Sequence, residues 1–211
     1  MELKNNLLNN IRYVILLLVF VIGIITAYFY IGVQTNNDSL SNTSPCFNDA
    51  WQEREHNFTQ KNTSEYYINR GLDHLKCLEY QMSIDEFNKS INVSGDDSKK
   101  YDWLLTSNFY IGFINFEIGN LEESLKYYST AIEYSGNSTV RPKWELYRNK
   151  ATVLAKLSKY NEAISDYTKA IELNPNLWKL YKERSDAYTA LDMLDEAVLD
   201  LEMSEKIKRS N

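Results

Sequence analysis

Residues 158–176, SKYNEAISDYTKAIELNPN, carry two small residues seven apart, Ala163 and Ala170, with Tyr167 between them. At 3.6 residues per turn these share one helix face, and small side chains there let a second helix approach closely. The Asn174-Pro175 pair ends that helix, because the residue before proline is driven away from helical backbone. The same offsets recur along the chain. Moving 34 residues on, from 163 to 197, places Leu201 on Tyr167 and Ser204 on Ala170, while Trp178 falls on Trp144 and Tyr181 on Tyr147. Upstream, Ser124, Tyr128 and Ala131 keep the spacing with Gly112 twelve residues before, and Ser83, Phe87 and Ser90 keep it with Gly71 twelve residues before. Four copies at this period point to stacked helical hairpins, none able to bury its apolar face alone.

At these residues the sequence resembles the tetratricopeptide repeat (TPR) family. The third copy, 144–177, fits that family's pattern best, through Tyr147, Ala151, Ala163, Tyr167, Ala170 and Pro175. The fourth, 178–211, has Ser185, Leu201 and Ser204 at signature sites, and the first (64–97) and second (105–138) use Ser83 and Ser124 where alanine is usual. The resemblance implies an all-α fold, an α-solenoid of about four TPR-like helix-turn-helix repeats over residues 64–211, and the apolar N-terminal run adds a single transmembrane helix before it. First helices are expected over 64–77, 99–118, 142–157 and 177–190, and second helices over 80–93, 121–134, 161–173 and 194–208. Pro142 suits a first helical turn, where its missing N–H has no partner to lose.

The transmembrane expectation rests on Tyr13–Val33, a run of 21 mostly apolar, uncharged residues. As a helix it spans about 31 Å, enough to cross a bilayer core. It exceeds the apolar length of a secretory signal, and Ile25-Thr26-Ala27 is a poor cleavage site. Lys4 and Arg12 precede the run, whereas the 20 residues after it hold no Lys or Arg. The positive-inside rule then gives a short cytosolic N-terminus (1–12), a span (13–33) and extracytoplasmic repeats. Residues 34–63 read as a polar tether with a short capping helix at about 45–60, marked by Ser44-Pro45 and the apolar Phe47, Trp51 and Phe58. Asn-x-Ser/Thr sequons at Asn37, Asn42, Asn57, Asn62, Asn88, Asn92 and Asn137 point the same way. Cys46 and Cys77, the only cysteines, permit one disulfide in an oxidising compartment or stand as two separate thiols; spacing does not decide between them.

A net charge of −6 offers no basic field for nucleic acid. The sequence shows no metal-ligand spacing, phosphate loop or nucleophile elbow, and His56 and His74 are isolated, so neither an enzyme nor a cofactor is expected. In the TPR family the first helices line a concave groove that binds peptides or helices. Carried onto this chain, groove positions are Ile68, Leu72 and Leu75, then Phe109, Phe113 and Phe116, then Arg148, Lys179 and Lys182. The first six would supply apolar anchors, although such a phenylalanine run is more often core, and the three cations would attract acidic groups. In the five places where the family's clamp for chaperone C-termini uses Lys, Asn or Arg, this chain has Phe109, Phe113, Asn149, Lys179 and Glu183, of which two match. Glu183 would repel a carboxylate, so that clamp is not expected. The resulting expectation is a membrane-anchored scaffold for a protein or peptide partner. Its rivals are a cytosol-facing adaptor that recruits soluble partners, and a structural subunit that assembles through its span at Gly23 and Gly32.

Overall fold

The computed structural model describes residues 62–96, 98–138 and 140–210. All lie in the second of two compact units, Phe58–Asn211. The expected span at 13–33, the tether and the expected helix at 45–60 lie outside the described residues. Among the described residues, no helix is long and apolar enough to cross a membrane.

Eight α-helices follow in order, with no strand among the described residues: α1 (Ser64–Lys76), α2 (Tyr80–Val93), α3 (Lys100–Glu117), α4 (Leu121–Tyr134), α5 (Lys143–Lys156), α6 (Tyr160–Leu173), α7 (Trp178–Thr189) and α8 (Leu194–Ser210). A 3₁₀ turn, Ser135–Asn137, follows α4. The helices fall within two residues of the spans expected from the repeat pattern. Pro142 sits one residue earlier than expected, at the N-cap of α5. Its ψ of 129° is extended, while its carbonyl accepts from Glu145 N–H at 3.0 Å, so the helix begins after it.

The turn inside each repeat is the same device four times. The residue after the C-cap region is left-handed in every case: Leu78 (φ 58°), Gly119 (83°), Ser158 (59°) and Asp192 (57°). The next N–H reaches back five residues to a helix carbonyl, as Glu79 to His74 (3.0 Å), Asn120 to Asn115 (2.8 Å), Lys159 to Leu154 (2.9 Å) and Met193 to Tyr188 (3.0 Å). This is the Schellman closure, which satisfies orphan carbonyls at the end of the first helix and reverses the chain.

Within each hairpin the helices meet at paired small residues. Ser83 Oγ donates to Gly71 O at 2.7 Å, and Ser124 Oγ to Gly112 O at 2.8 Å. In the fourth repeat the direction reverses, Ser185 Oγ donating to Ala197 O at 2.8 Å. The third repeat has Ala151 and Ala163, both fully buried. Ser83, Ser124 and Ser185 are therefore bonded substitutes for alanine: buried, small, and satisfied by the opposite helix. The aromatic four residues further on covers the small residue of the first helix. A Cβ added to Gly71 would lie 2.8 Å from the Phe87 ring, and one added to Gly112 would lie 3.2 Å from the Tyr128 ring.

Hairpins then stack through a stripe on each second helix. Tyr80, Ile84, Phe87 and Ile91 pack with Ile111 and Ile114 of α3. Leu121, Leu125, Tyr128 and Ile132 pack with Leu146 and Val153 of α5. Tyr160, Ile164 and Tyr167 pack with Ala187, and Ile171 with Leu180, both of α7. Full burial of one such side chain is worth about 1.5–3 kcal/mol. Buried carboxylates tie first to second helix in three repeats: Glu86 to Arg70 (3.1 Å), Asp166 to Lys150 (2.9 Å) and Asp200 to Arg184 (2.7 Å). The second repeat has Ile111 and Tyr127 at the corresponding places.

Two substitutions separate these causes by urea or thermal unfolding. Gly71→Ala, which drives a methyl into a ring with no exposed surface, is expected to destabilise the fold by about 1–3 kcal/mol. Leu78→Gly relieves a left-handed leucine whose side chain is 69% exposed, and is expected to stabilise by about 0.5–1 kcal/mol.

Candidate peptide-binding face

The residues expected to line a groove divide into three groups. Ile68 and Phe109 belong to the core, each 5% exposed. The Phe109 ring sits edge-on to Tyr128 at 5.7 Å and to Tyr110 at 5.3 Å. The Arg141 guanidinium lies 3.6 Å from its centroid and is paired with Glu145 at 2.9 Å. A cation over an aromatic face is held by the ring quadrupole, so Arg141 closes over Phe109 and leaves almost no ring surface for contact. Leu72, Leu75, Phe113 and Phe116 form the second group. They are half-buried, packed on the core at one edge with the other edge open. Phe113 touches both the α1–α3 and the α3–α5 clusters.

The cations are the third group, and two are already neutralised. Arg148 Nε donates to both Glu183 oxygens, at 2.8 and 3.1 Å. This bond to Glu183 raises the guanidinium pKa and outweighs burial, which acts to lower it. Lys182 pairs with Asp186 at 2.9 Å across exposed side chains, a contact worth at most about 1 kcal/mol. Lys179 is exposed, 5.7 Å from the Trp178 ring, with no ion pair among the described residues.

Between α5, α6 and α7 lies a cavity of about 470 Å³, lined among others by Thr152, Ala155, Tyr160, Tyr167, Glu183 and Asp186. Thr152 and Tyr167 hydroxyls meet at 3.2 Å on its wall, and Thr152 also donates to Arg148 O at 3.0 Å. Burial pushes the Tyr167 phenol up to about 12, opposed by the Thr152 bond; burial also raises Tyr128. The repeat pattern did not mark Arg141, Tyr160 or Tyr167 as part of this face, and Glu183 read there only as a repulsive charge. The available signal was Tyr160, which opens the second helix of the best-matched repeat. Cys77, at the C-cap of α1, is disulfide-bonded; Cys46 lies outside the described residues. No group of His, Cys, Asp and Glu among the described residues could hold a metal.

Core and face residues respond differently to truncation. Phe109→Ala should cost about 3–5 kcal/mol in unfolding free energy, whereas Phe116→Ala, open on one edge, should cost about 1–2 kcal/mol. The raised phenols have a sign as well. The folded state keeps protons that the unfolded chain releases at about pH 10, so stability is level below that and falls as pH climbs toward 12. Tyrosine absorbance and unfolding should be followed together between pH 9 and about 12.5.

Residues 144–177 match the tetratricopeptide repeat family. Over 150 residues the chain is 33% identical to DnaJ homolog subfamily C member 7 of Homo sapiens, covering 67% of this chain and 29% of that protein. It is 31% identical over 86 residues to mitochondrial import receptor subunit TOM70 of Rattus norvegicus, covering 41% of this chain and 14% of that protein. The chain thus spans less than a third of either relative. The crystal structure of MamA superposes with a TM-score of 0.63 at 15% identity, over 81% of this chain and 98% of that one, a likeness of fold alone. Residues 144–177 therefore form a tetratricopeptide repeat, and the described helices build an all-α, TPR-like solenoid.

Proposed function

We propose that this chain is a membrane-anchored TPR scaffold that binds a protein or peptide partner on the face of its first helices, without catalysis. The observation that carries this reading is that the first helices α1 and α3 keep apolar edges open (Leu72, Leu75, Phe113, Phe116), while a polar cavity opens between α5, α6 and α7 further along the array. Apolar edges and fixed hydroxyls and carboxylates along one array suit an extended segment that buries a few side chains and anchors its polar groups. Because Arg148 is held by Glu183, acidic groups would find Lys179 rather than three free cations. TOM70, a mitochondrial import receptor subunit, fits protein binding by such repeats.

The anchor is the 13–33 span, with residues 1–12 cytosolic and the repeats extracytoplasmic. Support comes from the flanking charges and from the disulfide state of Cys77, which suits an oxidising compartment. With two cysteines in the chain, its proposed partner is Cys46.

Two measurements test the reading. A cysteine at Ser41, in a Cys46→Ser, Cys77→Ser background, should react with a membrane-impermeant maleimide in intact cells; reaction only after lysis would make the protein a cytosol-facing adaptor. A photo-cross-linking residue at Phe116 should trap a partner, and one at Glu133, exposed on the second helix of the same repeat, should not. Equal trapping from both would rule out the face.

A further inference from the structure

Three Asn-x-Ser/Thr sequons fall inside the described repeats, at Asn88, Asn92 and Asn137, and a fourth, at Asn62, stands just before α1. The fold sorts them. Asn92 is exposed in the last turn of α2, and Asn137 is exposed at the end of the 3₁₀ turn after α4. Asn88 lies one turn earlier on α2, half-buried, and Ser90 of its sequon is fully buried. Asn62 is exposed, but its carboxamide oxygen accepts from the Tyr67 hydroxyl at 2.9 Å. Asn92 and Asn137 also share one edge of the array, where second helices end and first helices begin. Ser64 Oγ donates to Ser90 O at 3.0 Å, which ties the start of α1 to the end of α2. Ser138 Oγ donates to Asp102 Oδ1 at 2.6 Å, which ties the α4–α5 junction to the start of α3. The four turns inside the hairpins form the opposite edge and hold no sequon.

We propose that Asn92 and Asn137 carry N-linked oligosaccharides, a reading that rests on the extracytoplasmic placement of the repeats. The donor class is a lipid-diphosphate-linked oligosaccharide. The asparagine Nδ2 bonds to the anomeric carbon as that carbon's bond to the diphosphate oxygen breaks. The diphosphate leaves with the electron pair, and the nitrogen gives up one proton. Ser94, the hydroxyl residue of the Asn92 sequon, is 4% exposed and donates to Ile91 O at 2.8 Å. A transferase reads that hydroxyl, so transfer precedes closure of the last turn of α2, and the folded chain then leaves the sugar in water. At Asn88 the same sugar would press on the array. Leu75 and Phe116 lie about 17 and 24 Å along α1 and α3 from the glycosylated edge, at 1.5 Å per residue. The sugars therefore bar that edge to a partner and leave free the open apolar side chains near the hairpin turns.

The full chain, isolated from its own cells, is treated with a peptide N-glycosidase in heavy-oxygen water, which turns each glycosylated asparagine into labelled aspartate. Labelled aspartate is expected at positions 92 and 137, and unmodified asparagine at position 88. Without that treatment, Asn92→Gln and Asn137→Gln should each raise gel mobility by one step, the double change by two, and Asn88→Gln by none. Both expected sites are exposed and keep an amide, so these changes leave the core intact. Maleimide labelling of the Ser41→Cys variant in the same cells separates this proposal from the placement it rests on. Labelling in intact cells, with no glycan at position 92 or at position 137, would overturn the proposal alone. Labelling only after lysis, with no glycan, would overturn the placement with it. A glycan at Asn88 would overturn the selection of sites by folded exposure.

Discussion

The close approach of two helices at a pair of small residues is the constraint on which the rest of the structure depends. Gly71 with Ser83, Gly112 with Ser124, Ala151 with Ala163 and Ser185 with Ala197 each remove side-chain bulk where the helices touch. Without that bulk the aromatic on the second helix lies directly against the first, and its far side becomes the stripe on which the next hairpin sits. The Ser–carbonyl bonds are interchangeable with alanine because they leave no buried hydroxyl unsatisfied. Stacking is thus a consequence of contacts inside the hairpin.

The same geometry decides the chemistry of the candidate face. Stacking hairpins at a fixed offset brings Arg148 beside Glu183, 35 residues away, and turns an expected free cation into half of a bidentate pair. It also folds Arg141, from the segment between repeats, over Phe109. What remains open are the edges of Leu72, Leu75, Phe113 and Phe116, the exposed Lys179 and the cavity beside Tyr167. This face is less basic and less aromatic than its linear pattern suggests. It suits a partner that brings a few apolar side chains and hydrogen-bonding groups more than one recognised by negative charge.

The helices were legible in the sequence because their cues are local and periodic. Small residues seven apart, an aromatic between them and a repeat of about 34 residues locate every described helix to within two residues. The reading was weaker wherever a contact joins different repeats. Phe109, Phe113 and Phe116 look alike as a helical run, yet the first is core and the other two are half open. Only the position of α4 and of Arg141 distinguishes them. The left-handed turn residues were also hidden, since glycine occupies that place once while leucine, serine and aspartate occupy it elsewhere.

By itself, then, the sequence determined the hairpin: which segments are helical, where they turn, and which face of each must be buried. These follow from side-chain size and apolar period, which act over a few residues. The tertiary structure decided which of the buried-looking side chains keep an open edge, which charges are already paired, and that no described helix covers the stripe on α8 as one covers its predecessors. Those outcomes depend on distances between repeats, set by the stacking of whole hairpins, and no local pattern encodes them.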